Sequence, residues 1–179
     1  MTTRDSRANA FERLGVPPAF DIDKALIETR YLERAASLHP DLAVADAAQR
    51  EAAEQEMARL NQARATLLNA EARANELLAL IGGPDGALCR DLPPGFLMEM
   101  MELGSEVDDA LASSDDAAIS ELTETAMVSR SEAIERVSDL FRALGDPPGA
   151  DDLRVVRVEL NRWRYVERLL ERLRGQSTL

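Results

Sequence analysis

The tetrapeptide Leu38-His39-Pro40-Asp41, residues 38–41, separates two long segments in which apolar residues recur at helical spacing. Because proline has no amide hydrogen and its ring clashes with the preceding turn, the first segment must end before Pro40. The apolar stripes are Ile27, Tyr31, Ala35 and Leu38 in the first segment, and Ala53, Met57, Leu60 and Leu67 in the second. Two amphipathic helices joined by a short loop predict an antiparallel hairpin. By itself the tripeptide His39-Pro40-Asp41 predicts only the turn between them.

The composition favours helices throughout the chain. Of the 179 residues, 45% are hydrophobic and only 4% aromatic, so the core must consist mainly of Ala, Leu, Val, Met and Ile. Most of these are good helix formers. The nine glycines and eight prolines are clustered, and no run alternates apolar and polar residues over the length of a strand. We therefore expect an all-α protein.

The charge and the rare residue types exclude several functions. The formal net charge is -12, from 21 basic and 33 acidic residues, and nucleic-acid binding relies largely on Lys and Arg, so we expect no nucleic-acid partner. One cysteine and one histidine do not suffice for a disulfide or the usual zinc site, and we expect no metal and no cofactor. Since the chain shows neither a signal peptide nor a membrane-spanning apolar run, we expect a cytoplasmic protein without membrane association.

Glycine and proline clusters divide the sequence into domains. The strongest break contains Gly82, Gly83, Pro84 and Gly86, followed by Pro93 and Pro94. We predict an N-terminal domain at residues 1–82, a linker at 83–94 and a C-terminal domain at 95–179. The predicted helices span about residues 8–14, 22–38 or 24–38, 46–69, 71–81, 95–113, 115–144 and 150–174. The start of the second helix depends on whether Asp21 or Asp23 is its N-cap. Short connections between the last three predict a three-helix bundle.

The segment from Phe96 to Leu103 is apolar around much of its helical circumference. At spacings of four and three, Phe96, Met100 and Leu103 are expected to face the core. The remaining apolar residues, Leu97, Met98 and Met101, then point to another side of the same helix. This side requires either a second burial partner or a role as an exposed binding surface, for which flexible methionines are well suited.

The first 74 residues contain, in this order, Phe11, Leu14, Gly15, Tyr31, His39-Pro40-Asp41, Asn61, Ala63, Leu67, Arg73 and Ala74. This set of residues resembles a J domain. With the continuation from Arg73 to Gly82 and the box from Phe96 to Leu103, the chain more specifically resembles the HscB co-chaperones of iron-sulfur cluster assembly. The resemblance covers nearly the whole chain in the family's order.

This resemblance implies two partners and a residue set for each. HscB-like proteins stimulate a DnaK-type (HscA-like) ATPase chaperone through the J domain and bind an iron-sulfur cluster scaffold protein (IscU-like) through a C-terminal three-helix domain. On this sequence, the stimulating residues would be His39, Pro40 and Asp41. The docking residues would be Lys24, Arg30 and Arg34, expected on one face of the second helix. The scaffold-binding residues would be Leu97, Met98, Met101, Glu102 and Tyr165.

The sequence departs from the family pattern at a few positions. Leu42 stands where Lys is common, Arg34 and Arg64 stand where apolar residues are usual in the hairpin, and Ser105 stands where a further acidic scaffold contact is expected. If Arg34 is partly buried, it must snorkel or find an ionic partner.

Two alternative functions remain open, and catalysis is disfavoured. The C-terminal bundle could bind a different client, or the whole chain could be a helical interaction module in which His39 has no special role. No nucleophile motif or phosphate-binding loop is recognisable, so we expect no enzymatic activity and no catalytic residue.

Overall fold

The computed structural model describes residues 8–38 and 47–175, and within these ranges every regular element is an α-helix. The chain divides after Leu80 into two compact units. The first unit contains α1 (Ala10–Leu14), α2 (Lys24–Ser37), α3 (Ala47–Leu68) and α4 (Ala70–Leu80); the second contains α5 (Phe96–Ser113), α6 (Asp116–Ala143) and α7 (Ala150–Gly175). The seven predicted helices are thus present. Their ends differ from the sequence-based bounds by one or two residues.

Local capping residues fix the ends of the helices in the first unit. Asn9 and Glu12 form a capping box at the start of α1, which satisfies two otherwise unpaired amide groups. Gly15 ends α1 in the left-handed conformation with φ 68°, where a side chain would be strained. The Asp23 carboxylate accepts a hydrogen bond of 2.8 Å from the Ala25 amide at the start of α2. Of the two N-caps expected for this helix, Asp21 and Asp23, the structure therefore uses Asp23.

The core of the first unit joins all four helices. Its largest fully buried side chains are Phe11, Leu14, Ile27, Leu60, Leu67 and Leu78. Each buried side chain of this size stabilises the fold by about 1.5–3 kcal/mol relative to exposure. The α2–α3 pair forms the predicted hairpin, since α2 packs on α3 and α1 packs against both.

A buried arginine on α4 ties the first unit together. Arg73 is only 7% exposed, and its guanidinium lies 5.2 Å from the Phe20 ring centroid. Its Nε donates a hydrogen bond of 2.8 Å to the Phe20 carbonyl, and its Nη1 donates to the Leu67 carbonyl at the end of α3. Burial lowers the pKa of this guanidinium, which still carries its charge at neutral pH.

Replacing Arg73 should therefore destabilise the first unit. We expect Arg73→Ala to reduce the free energy of unfolding by about 2–4 kcal/mol, because two buried carbonyl groups lose their donor. Urea unfolding followed by far-ultraviolet circular dichroism measures this loss. The matched control is Arg59→Ala, since Arg59 is exposed and, among the residues that the structure describes, pairs with Glu56 one turn away; it should change stability by less than about 0.5 kcal/mol. Equal effects of the two substitutions would contradict the assigned role.

The second unit is an up-down-up three-helix bundle. Arg130 of α6 pairs with Glu167 of α7 at 2.6 Å, and Arg136 approaches Glu159 at 3.9 Å, so α6 runs antiparallel to α7. The buried cluster between the helices contains Val107, Ala126, Val166, Leu169, Leu170 and Leu173. Trp163, the only tryptophan of the sequence, is also fully buried. The predicted bundle is present with the expected short connections.

The segment 83–94, which we call the strap, behaves differently from a free linker. The strap belongs to the second compact unit, and three of its backbone carbonyl groups accept hydrogen bonds from α7 side chains. An irregular segment that packs against a domain needs such partners for its polar backbone. These donors lie 70 or more residues away in the sequence, so no local pattern indicates the attachment. The glycine and proline content of the segment indicated only a linker.

Candidate functional site

The basic residues of α2 form the candidate docking surface of the first unit. Arg30 is exposed, and its Nη1 lies 2.9 Å from the Glu33 carboxylate. Arg34, one turn further on, is also exposed. Its guanidinium lies beside Gly15, so close that a Cβ at this position would come within 2.5 Å of Nη2. The charge of Arg34 is therefore not buried in the hairpin.

Lys24 does not share this stripe. It is the first residue of α2 and is exposed. At 100° per residue, it lies about 120° around the helix from Arg30. The structure thus brings Arg30 and Arg34 together and places Lys24 on a different side of the helix from Arg30. A docking role of Lys24 stays a prediction.

A polar network fixes the position of α2 on α3. Arg64 donates two hydrogen bonds to the Glu28 carboxylate, at 2.9 and 2.8 Å, and its guanidinium lies 5.0 Å from the Tyr31 ring centroid. The Tyr31 hydroxyl donates to Asn61 Oδ1 at 2.8 Å. The hydrogen bonds from Arg64 hold the pKa of the Glu28 carboxyl below its usual range. Arg64 thus joins α3 to α2 by a bidentate ion pair.

The tripeptide His39-Pro40-Asp41 lies outside the described residues, and so does Leu42. The structure describes α2 as far as Leu38 and resumes at α3 with Ala47. The tripeptide therefore belongs to the connection between the two helices of the hairpin, and its role stays a prediction.

An exposed apolar surface on α5 forms the candidate site of the second unit. Leu97, Met98 and Met101 are 51%, 69% and 68% exposed, whereas Phe96 at the start of the helix is 5% exposed. We call these three exposed residues the apolar patch. Met100 and Leu103 pack against the core, so the two sides of α5 divide as the spacing predicted. Exposed apolar residues that cluster on a surface commonly mark an interaction site.

The apolar patch lines one side of an open groove with a volume of about 770 Å³. Its lining consists of Leu92, Pro93, Gly95, Leu97, Met98, Met101, Glu102 and Ser105. The sequence-based site lacked Leu92, Pro93 and Gly95, which come from the strap and the turn before α5. In the sequence, the one feature that points to these residues is their position directly before an apolar helix. This position does not show whether they line a groove or belong to a linker.

Tyr165 lies beside the groove and does not line it. Its ring contacts the Phe96 ring edge-on, with the centroids 5.8 Å apart and an interplanar angle of 88°. The guanidinium of Arg168 lies 5.8 Å from the Tyr165 ring centroid. Tyr165 thus supports the first turn of α5 from α7, and direct partner contact by this residue stays a prediction.

The chemistry of these surfaces is suited to binding partners. The lining of the groove is mostly apolar and includes the exposed residue Glu102. Within residues 8–38 and 47–175, no group of His, Cys, Asp and Glu side chains is arranged to hold a metal ion. In the same ranges, no helix has the length and hydrophobicity needed to cross a membrane.

Comparison with known proteins identifies the family. Residues 92–174 match a family model described as the HSCB C-terminal oligomerisation domain. A co-chaperone protein HscB homolog from Aliivibrio salmonicida is 36% identical over 109 residues, which are 60% of this chain and 64% of that relative, so this alignment spans less than two thirds of the relative's length. A second homolog, from Burkholderia multivorans, is 30% identical over 156 residues, 86% of this chain and 87% of the relative. The chain belongs to the HscB co-chaperone family.

A solved HscB structure has the same fold. The crystal structure of the human co-chaperone protein HscB superposes with a TM-score of 0.82 at 23% identity, covering 99% of this chain and 86% of the human chain. This match confirms the predicted all-α architecture of an N-terminal J domain followed by a C-terminal helical bundle. Because HscB proteins are co-chaperones, family membership also confirms that the chain is not an enzyme.

Proposed function

We propose that the chain is a cytoplasmic co-chaperone that delivers an IscU-like iron-sulfur cluster scaffold protein to a DnaK-type, HscA-like chaperone and stimulates the ATPase of that chaperone. The observation that carries the proposal is the apolar patch of Leu97, Met98 and Met101 in a groove of the C-terminal bundle. Membership of the HscB family supports the same function. One partner would bind each unit.

The J domain would act on the ATPase without chemistry of its own. Pro40 restricts the backbone around His39 and Asp41, so their side chains can be presented at a reduced ordering cost. Arg30 and Arg34 would dock on an acidic surface of the ATPase chaperone. The exposed Arg30–Glu33 pair is worth at most about 1 kcal/mol, so Arg30 can exchange Glu33 for a partner carboxylate at little cost.

The apolar patch would supply most of the binding energy for the scaffold. Burying its three half- to two-thirds-exposed side chains contributes roughly 3–6 kcal/mol in total by the area rule. Methionine side chains adapt their shape to a partner surface. Glu102, which also lines the groove, would add a polar contact that favours one orientation of the scaffold.

A co-chaperone with no catalytic residue can accelerate ATP hydrolysis by the chaperone, because it binds the chaperone and the scaffold on one chain. A scaffold bound to the C-terminal bundle is held at a high effective concentration near any ATPase chaperone that the J domain has engaged. Since the two binding events are linked, each should strengthen the effect of the other on the ATPase cycle.

The ATPase rate of the cognate chaperone tests this proposal. We expect the co-chaperone alone to stimulate ATP hydrolysis. With co-chaperone and scaffold together, the stimulation should exceed the product of their two separate effects, and the rate should be about tenfold or more above the rate with co-chaperone alone or scaffold alone. Scaffold added without co-chaperone is the control. A purely multiplicative response would contradict the coupling of the two partners, and no response to the co-chaperone would contradict the J-domain role.

A further inference from the structure

Part of the wall of the partner groove comes from residues outside any helix. Leu92 and Pro93 line the groove from the C-terminal end of the strap. An irregular segment has no regular hydrogen-bond ladder of its own, so its position depends on the groups that hold its backbone. In this structure, side chains of α7 hold the strap carbonyl groups of Pro84, Cys89 and Asp91.

Asn161 holds the strap directly before the groove wall. Its Nδ2 donates hydrogen bonds to the Cys89 carbonyl at 2.9 Å and to the Asp91 carbonyl at 3.0 Å. Both amide hydrogens of the side chain are therefore committed to the strap. Arg154 adds a charged contact, because its Nε and Nη2 lie 3.2 and 2.5 Å from the Asp91 carboxylate.

A second point of attachment holds the start of the strap. Arg157 is only 6% exposed, and its Nε donates a hydrogen bond of 2.8 Å to the Pro84 carbonyl. The strap passes so close that a Cβ on Gly86 would lie 3.1 Å from Nη1 of Arg157. Burial lowers the pKa of this guanidinium, as expected for a cation that is covered by backbone.

The three holding residues form one stripe of α7. Arg154, Arg157 and Asn161 are spaced by three and four residues, which places them on one side of the helix. Other sides of α7 are occupied by core residues such as Val156, Leu160 and Trp163. One helix thus provides part of the bundle core and also the attachment of the strap.

We propose that Asn161 is a positioning residue for the partner groove: by fixing the carbonyl groups of Cys89 and Asp91, it holds Leu92 and Pro93 in the place where they form the groove wall. This inference rests on the proposed function, since it concerns the site for the scaffold. A wall that is already in place spares the scaffold the cost of ordering the strap on binding. Asn161 itself does not line the groove.

Two substitutions of Asn161 test the inference. Asn161→Ala removes both donors, and Asn161→Asp removes them while keeping the shape of the side chain. We expect either change to raise the Kd for the IscU-like scaffold about fivefold to tenfold in calorimetry, by the ordering cost of a freed loop. Hydrogen exchange should accelerate at the amides of Cys89 and Phe96, which donate to strap carbonyls in the wild type. Unfolding followed by Trp163 fluorescence should change little.

A double-mutant cycle separates positioning from a general loss of stability. If Asn161 acts through the wall, Asn161→Ala should weaken scaffold binding much less in a Leu92→Ala background than in the wild type. The control for the introduced charge is Asn69→Asp in the first unit, where Oδ1 accepts a hydrogen bond from Ala72 and an aspartate can do the same.

Each contrary result has a distinct meaning. Unchanged scaffold affinity with faster exchange in the strap would overturn the positioning role and leave the proposed function intact. Fully additive effects of Asn161→Ala and Leu92→Ala would also overturn it, because the two residues would then act independently. A wild-type chain that does not bind the scaffold would overturn the proposed function, and the inference would fall with it.

Discussion

Replacing His39 with Gln is expected to reduce the stimulated ATPase rate of the DnaK-type chaperone to its unstimulated level. The substitution keeps a polar side chain of similar length and removes the imidazole, which the resemblance to J domains assigns as part of the stimulating tripeptide. Coupling between two sites of an allosteric system is typically about 1–3 kcal/mol, or 5–150-fold, and this is the stimulation that should be lost. Steady-state ATP hydrolysis with increasing co-chaperone measures it.

Two controls show whether the loss is specific. Far-ultraviolet circular dichroism of His39→Gln should match the wild type, because the changed position follows the end of α2 and precedes the start of α3 in the sequence. Binding of the scaffold should keep its Kd, since the groove residues belong to the other unit. If His39→Gln still stimulates the ATPase fully, the assignment of the tripeptide is wrong and the plain helical interaction module becomes the better description.

The helices could be predicted because their ends are determined by neighbouring residues. Asn9 with Glu12, Asp23 and Gly15 each act within one turn of the helix that they start or stop, so the one-dimensional sequence contains the whole interaction. The two sides of α5 could be predicted for a similar reason, because the helical period alone separates Phe96 from Leu97. Local chemistry and periodicity therefore sufficed for the fold.

The features that escaped prediction depend on residues far apart in the sequence. The strap looks like a linker because its glycines and prolines indicate only irregular backbone, and its attachment requires Asn161, which lies about seventy residues later. Likewise the ionic partner of Arg64, Glu28, lies on a different helix. Such pairings depend on how helices pack, which no local pattern encodes.

The strongest effect on scaffold binding is expected when Leu97, Met98 and Met101 are all replaced by Ala. The loss should reach about 100-fold or more in Kd, because three side chains of the proposed contact would no longer bury their apolar surface. All three are more than half exposed in the free protein, so the fold itself should lose little stability. Calorimetric titration with the IscU-like scaffold measures the affinity.

The chain offers a matched control on α6. Met127 and Val128 are also apolar and 50% and 54% exposed, but they do not line the groove, so Met127→Ala with Val128→Ala should leave the Kd unchanged. The triple variant should still stimulate the ATPase without scaffold and lose the additional stimulation that scaffold provides, because only one of the two partners is released. Wild-type affinity in the triple variant would remove the apolar patch as the scaffold site. Equal losses in both variants would instead indicate a nonspecific hydrophobic association, since exposed apolar area alone would then determine binding.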